Sequence, residues 1–106
     1  MNIEKSEWIP VKKEMPKPKQ RVYVVCENTL RDGRIIKFQT MAEYIPYMTI
    51  MEEDYMADEY AGDGDYNEIE DQYYTPRGWY EWQSEAEINY RISVNVTHWM
   101  PLMPLP

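Results

Sequence analysis

Few side chains in this sequence have the types and spacing for chemistry. His98 is the single histidine and Cys26 the single cysteine. Together they could serve as base and nucleophile, since an imidazole titrates near neutrality and can activate a thiol. Cys26, however, closes the β-favouring run Val22-Tyr23-Val24-Val25, and nothing in the spacing brings His98 to it. The expectation is a buried small hydrophobe and a structural imidazole. A second group, Arg77 with Trp79, Tyr80 and Trp82, could stack on and pair with a phosphorylated small molecule. A third is the acidic set Glu52, Glu53, Asp54, Asp58 and Glu59, interleaved with Tyr55 and Tyr60. Carboxylates in such a run can occupy phosphate-like positions toward a basic protein partner.

The stretch Asp63-Gly64-Asp65-Tyr66-Asn67-Glu68-Ile69-Glu70-Asp71 opens like a calcium loop, in which oxygens at alternate positions converge on a hard cation. It departs at two places: Glu68 stands where such a loop needs glycine, and Tyr74 where it needs a bidentate glutamate. A solvated acidic loop is expected instead, with no metal. The sequence also has no phosphate-cradling Gly-rich loop, no Gly-x-Ser-x-Gly elbow and no Cys-x-x-Cys pair. A protein that is not an enzyme and carries no cofactor is expected.

Charge narrows the partners. The formal net charge is −8 over 106 residues, and it is unevenly spread. Residues 1–37 hold nine Lys or Arg against five acids, whereas 38–76 hold eleven acids and no basic residue. Nucleic-acid binding draws on Lys and Arg to release counterions from phosphates, so direct DNA or RNA binding is not expected. No run of eighteen apolar residues occurs and the first residues lack a basic-then-apolar pattern, so neither membrane spanning nor export is expected. One cysteine permits no intrachain disulfide, which fits a reducing cytoplasm.

The elements that must position these groups read mostly as strands. Prolines in Trp8-Ile9-Pro10-Val11 and Met15-Pro16-Lys17-Pro18 favour an extended entry. Arg21 to Asn28 reads as a central strand, covered on both faces. Asp32-Gly33 suits a tight hairpin, and Ile36, Phe38, Thr40, Ala42 and Tyr44 alternate after it. Residues 46–75 read as an acidic, Tyr/Met-rich insertion, a loop with at most a short helix. Trp79 and Trp82 are expected to pack on a common surface. Ile88, Tyr90, Ile92, Val94 and Val96 alternate with polar residues as one half-buried strand, which by continued parity puts His98 on the apolar face and Trp99 on the other. The tail Met100-Pro101-Leu102-Met103-Pro104-Leu105-Pro106 is expected to dock on Trp8 or Trp79, because an apolar terminus is ordered only when packing ties it down.

The fold expected is α+β but mainly β: a single domain over 1–106, with a twisted antiparallel sheet of four or five strands, partly open as a barrel. Its expected core is Trp8, Val22, Val24, Phe38, Trp79, Ile88, Tyr90, Ile92, Val94 and Trp99.

Trp8-Ile9-Pro10-Val11, Met15-Pro16, Val22-Tyr23-Val24-Val25, Ala42-Glu43-Tyr44, Gly78-Trp79-Tyr80 and above all Val96-Thr97-His98-Trp99-Met100-Pro101-Leu102 occur in that order. In these pieces the chain resembles a family of small bacterial and phage proteins classed as domain of unknown function 551. The acidic middle from Pro46 to Thr75 and Met103 stand outside the shared pattern. The resemblance implies a small, mostly β domain of phages, prophages or bacterial genomes, working inside a bacterial cell, and carries over no functional residue. Residues and resemblance together point to a non-catalytic binding protein that occupies a host protein. The alternative is a protein sequestering a nucleotide-like molecule in an aromatic pocket, with a pocket between subunits of a homo-oligomer as one form of it.

Overall fold

The structure, a computed structural model, describes residues 7–56, 62, 64–83 and 88–102. Among the described residues, β-branched and aromatic side chains build eight strands: β1 Ile9–Pro10, β2 Val22–Thr29, β3 Ile35–Ile45, β4 Asp65–Asn67, β5 Gln72–Tyr74, β6 Gly78–Gln83, β7 Ile88–Arg91 and β8 Asn95–Pro101. Six of them form one sheet in the order β1-β8-β2-β3-β6-β7, and β4 with β5 makes a separate hairpin. Every pairing is antiparallel. The sheet is thus larger than the four or five strands expected. The residues read as one strand over 88–96 make two, and Ile9–Pro10 adds a short edge.

The α+β label gives way to mainly β. The one helical element among the described residues is the 3₁₀ turn Glu52–Asp54. A single turn fixes several residues for one hydrogen bond, and its packing, not its propensity, holds it in place.

Chain connectivity forces the sheet to coil. Laid flat, the strand order would put the end of β7 about 19 Å from the start of β8, four strand spacings away. Yet only Ile92–Val94 join them, and four Cα steps reach at most about 15 Å. The sheet therefore curls over one face without closing, since β1 and β7 remain its two edges. Ile92 and Val94 cross that face and pack on the core with Ile9, Val11 and Tyr44.

The core follows from register. Val22, Val24 and Cys26 point inward from β2, with Ala42 opposite Val22, Trp99 opposite Val24 and Val96 opposite Cys26. Trp79 stands opposite Tyr44 with ring centroids 5.2 Å apart. The central place read for β2 holds, as β8 and β3 flank it, but the cover expected on both faces does not. Val22, Val24 and Cys26 are buried on one face, while Tyr23, Val25 and Glu27 on the other are only half-buried, because the core packs on a single side of this strand. Four expected core members fare differently. Phe38 is 45 % exposed, because β6 pairs with β3 only from Glu43 to Ile45 and leaves its first half uncovered. Trp8 and Tyr90 lie at the sheet edges and are also exposed. Ile88 is described by backbone alone.

A β-bulge reverses the parity expected at the end of the chain. Val25 pairs with His98 but Cys26 with Val96, so Thr97 is an extra residue on β8. A bulge of this kind sets two residues against one and re-aims the side chains beyond it. Val96 and Trp99, three apart, consequently both face the core, and His98 falls on the opposite face. The Trp99 indole N–H donates to the Glu14 carbonyl at 2.8 Å, tying the β1–β2 connection over the sheet. β8 stays paired with β2 as far as Pro101, and Trp99 shares the core cluster with Trp79; Met103 to Pro106, the rest of the tail expected to dock, lie outside the described residues.

Candidate functional site

The acidic segment folds onto the back of β3 and β6. Ile45 and Tyr80 are buried on that face. Tyr55 covers Tyr80 edge to face at 5.4 Å and donates its hydroxyl to Glu43 at 2.5 Å. Burial first, then the Glu43 carboxylate, pushes the Tyr55 hydroxyl far above the ordinary tyrosine range, so it stays a donor. Tyr80 donates to the Pro76 carbonyl at 2.7 Å. Burial raises its hydroxyl to about 12, with Arg91 pulling the other way and Asp65 adding to the rise.

Glu52 fastens the segment from within. It is only 8 % exposed, and its carboxylate accepts the backbone N–H groups of Gly62 and Gly64, the latter at 3.0 Å. Gly64 can be nothing larger: a Cβ there would lie 2.2 Å from the Tyr74 carbonyl oxygen and 2.7 Å from Glu52 Oε2. A bridge between Met51 and Tyr74, with the Thr75 N–H donating to the Ile50 carbonyl at 2.8 Å, closes the base.

From this base projects the β4–β5 hairpin. Its tip is held by side chains. Asn67 Oδ1 accepts the N–H groups of Ile69 and Glu70 at 3.0 and 3.1 Å. Tyr66 donates to Asp71 at 2.5 Å and Tyr74 to Glu70 at 2.8 Å. Those hydrogen bonds hold both phenols protonated to higher pH than usual. The Tyr66 and Tyr73 rings lie 5.0 Å apart. Thus Asn67, at a ligand position of the calcium-like pattern, is spent on the turn. Among the described residues no three His, Cys, Asp or Glu gather as for a metal ion. At the apex Ile69 is 97 % exposed, between the exposed Glu68 and Glu70.

The residues singled out from the sequence are distributed as follows. Of the acidic set, Glu53 and Asp54 are exposed beside the hairpin base, Glu52 is spent internally, and Asp58 and Glu59 lie outside the described residues. Trp79 and Tyr80 are both buried, on opposite faces of β6, so neither offers a ring to a ligand. β6 is extended throughout, and residues three apart in such a run stand on opposite sides. Positions 79 and 82 therefore do not share a face. Arg77 is exposed and joins Arg91, Tyr47 and Asp65 around a separate cleft. Cys26 is fully buried, and burial, with Glu81 nearby, raises its thiol pKa. His98 contacts Thr97 Oγ1 at 2.8 Å and sits across β8 from the core. The exposed Ile69 escaped the sequence reading because an isoleucine between two glutamates in an acidic loop gives no periodicity to weigh.

Comparison with family models matches residues 7–106 to the family described as protein of unknown function (DUF551). The chain belongs to this family. No curated protein and no solved structure matches it. The match takes in the closing Thr97-His98-Trp99-Met100 segment, whose bulge and indole anchor were described above. No helix among the described residues is long and apolar enough to cross a membrane.

Proposed function

We propose that this protein is a non-catalytic binding module that docks its acidic hairpin into a protein partner, a host protein if the chain works in a phage or prophage setting. The observation that carries this reading is Ile69. An isoleucine held almost wholly in water forgoes about 1.5–3 kcal/mol of burial, and here four side-chain hydrogen bonds fix it at the end of a projecting turn. Prefixing the bound conformation removes part of the ordering cost of association. The chemistry around the tip defines the partner. Glu68, Glu70 and Asp71, with Glu53 and Asp54 near the base, call for an apolar pocket rimmed by Lys and Arg.

The test places a photo-crosslinking residue at Glu68 and compares capture by the natural chain with capture by Ile69→Asp. Burial of one isoleucine corresponds to about a 10- to 150-fold change in affinity. A salt-sensitive partner lost in Ile69→Asp, with an unchanged melting temperature, is the expected result. Capture that survives the substitution, or no salt-sensitive partner at all, overturns the reading.

A further inference from the structure

We infer that the cleft lined by Tyr47, Asp65, Pro76, Arg77 and Arg91 is a site for the phosphate monoester of a small ring-bearing molecule, of the nucleoside monophosphate class. This site is separate from the Ile69 tip and does not rest on the docking proposed for it.

The cleft is open to solvent on one side and has a volume of about 440 Å³, within the usual range for a small-molecule site. In a chain of net charge −8 it brings two guanidinium groups to one opening. Neither Arg77 nor Arg91 has a carboxylate within ion-pairing distance among the described residues, where the ion pairs are Arg34–Asp32 and Lys37–Glu27. Asp65, the carboxylate that lines the cleft, lies beyond ion-pairing distance of both, so their repulsion is only partly offset, and guanidinium forks match phosphate oxygens in a bidentate manner.

The fold positions Arg91 in particular. Its Nη2 donates to the Arg77 carbonyl at 2.6 Å, which fixes the group against the entry of β6 and leaves its other N–H donors uncommitted. Gly78 makes the room: a Cβ there would lie 2.8 Å from Arg91 Nε. Register brings the strand to the right height, since Arg91 pairs with Tyr80 and the Ile92 N–H donates to the Trp79 carbonyl at 2.7 Å.

The other two walls select among anions. Tyr47 is exposed and presents an aromatic ring for stacking. Asp65 is an acceptor beside two cations, which weakens the hold on a bare anion and favours a ligand that also carries an amino or hydroxyl donor. Phosphate, ring and donor in one molecule of this size describe a nucleoside monophosphate.

Titration of isotopically labelled protein with adenosine monophosphate, inorganic phosphate and adenosine tests the site by nuclear magnetic resonance. Adenosine monophosphate is expected to move the Gly78 amide and the Arg77 and Arg91 Nε–H signals. Arg77→Ala, at an exposed side chain, should weaken it by about tenfold or more while the melting temperature holds. Gly78→Ala, which keeps both charges but displaces Arg91, should weaken it as well. The inference is overturned if adenosine monophosphate at millimolar concentration moves none of these signals, if Arg77→Ala binds it as well as the natural chain does, or if inorganic phosphate binds as tightly.

Discussion

Deletion of Thr97 offers a demanding check on the register. Removing one residue from a strand ordinarily turns every later side chain to the other face. Here the residue is surplus to the β2 ladder, which pairs Val96 with Cys26 and His98 with Val25. Without it, Val96, His98 and Trp99 run in regular alternation, and Val96 and Trp99 still face the core. The losses are the bond from the Val11 N–H to the Thr97 carbonyl at 3.0 Å, which the Val96 carbonyl can replace, the 2.8 Å contact between His98 Nδ1 and Thr97 Oγ1 on the half-buried face, and a long Thr97 Oγ1 contact to the Val25 carbonyl at 3.5 Å. A cost of about 1–2 kcal/mol is expected. Deleting Val25 from β2 supplies the contrast, because it sets the fully buried Val22 and Val24 out of phase with Cys26. At about 1.5–3 kcal/mol for each misplaced valine, with Tyr23 forced inward as well, that loss approaches the whole stability of a small domain. Urea denaturation measures both variants. Exchange of the Trp99 indole proton, held by the Glu14 carbonyl, reports whether the core end of β8 survives. If the Thr97 deletion is as disruptive as the Val25 deletion, or its indole proton exchanges freely, the bulge does not act as described.

Two further outcomes follow from the anchoring of the acidic segment. Glu52→Gln replaces an acceptor oxygen by a donor, so at least one of the Gly62 and Gly64 N–H groups loses its partner; a loss of about 1–3 kcal/mol is expected, with faster hydrogen exchange at the Gly64 amide, and unchanged exchange there would refute the clamp. At alkaline pH, Tyr80 keeps its proton up to about 12 in the folded chain against an ordinary value of 10, so the unfolded chain loses the proton first. Its contribution is complete below pH 10 and declines by about 1.4 kcal/mol per pH unit as pH rises toward 12, with Tyr55 acting in the same direction. Urea midpoints that stay level across that window would contradict the burial of these hydroxyls.

Much of the sheet was legible in residue order, and the reason differs by element. β2 was readable as a strand because its run of β-branched and aromatic residues favours extended backbone, though that unbroken run concealed its one-sided burial, and the following hairpin because Asp32-Gly33 supplies a turn that needs positive φ, found at 89° for Gly33. The division of 88–96 into β7 and β8 was not readable. Its alternation is unbroken in sequence, and only the need to cross the coiled sheet interrupts pairing at Ile92–Val94. The candidate site was less legible still. Its acidity was plain, but which carboxylate turns inward was not, as Glu52, Glu53 and Asp54 are chemically alike and differ in what the fold brings near them.

Composition and order alone determined that this chain would be a β protein of its family, rich in acids at the centre and poor in catalytic groups, because strand propensity, turn chemistry and charge are local properties. Tertiary structure alone decided that Trp99 points inward and His98 outward, that Glu52 is a clamp while Ile69 stands in water, and that Arg77 meets Arg91. Each depends on residues distant in sequence being brought together, whether by a one-residue bulge, by a Cβ-free approach at Gly64 or Gly78, or by the coil of the sheet, and no local pattern encodes such meetings.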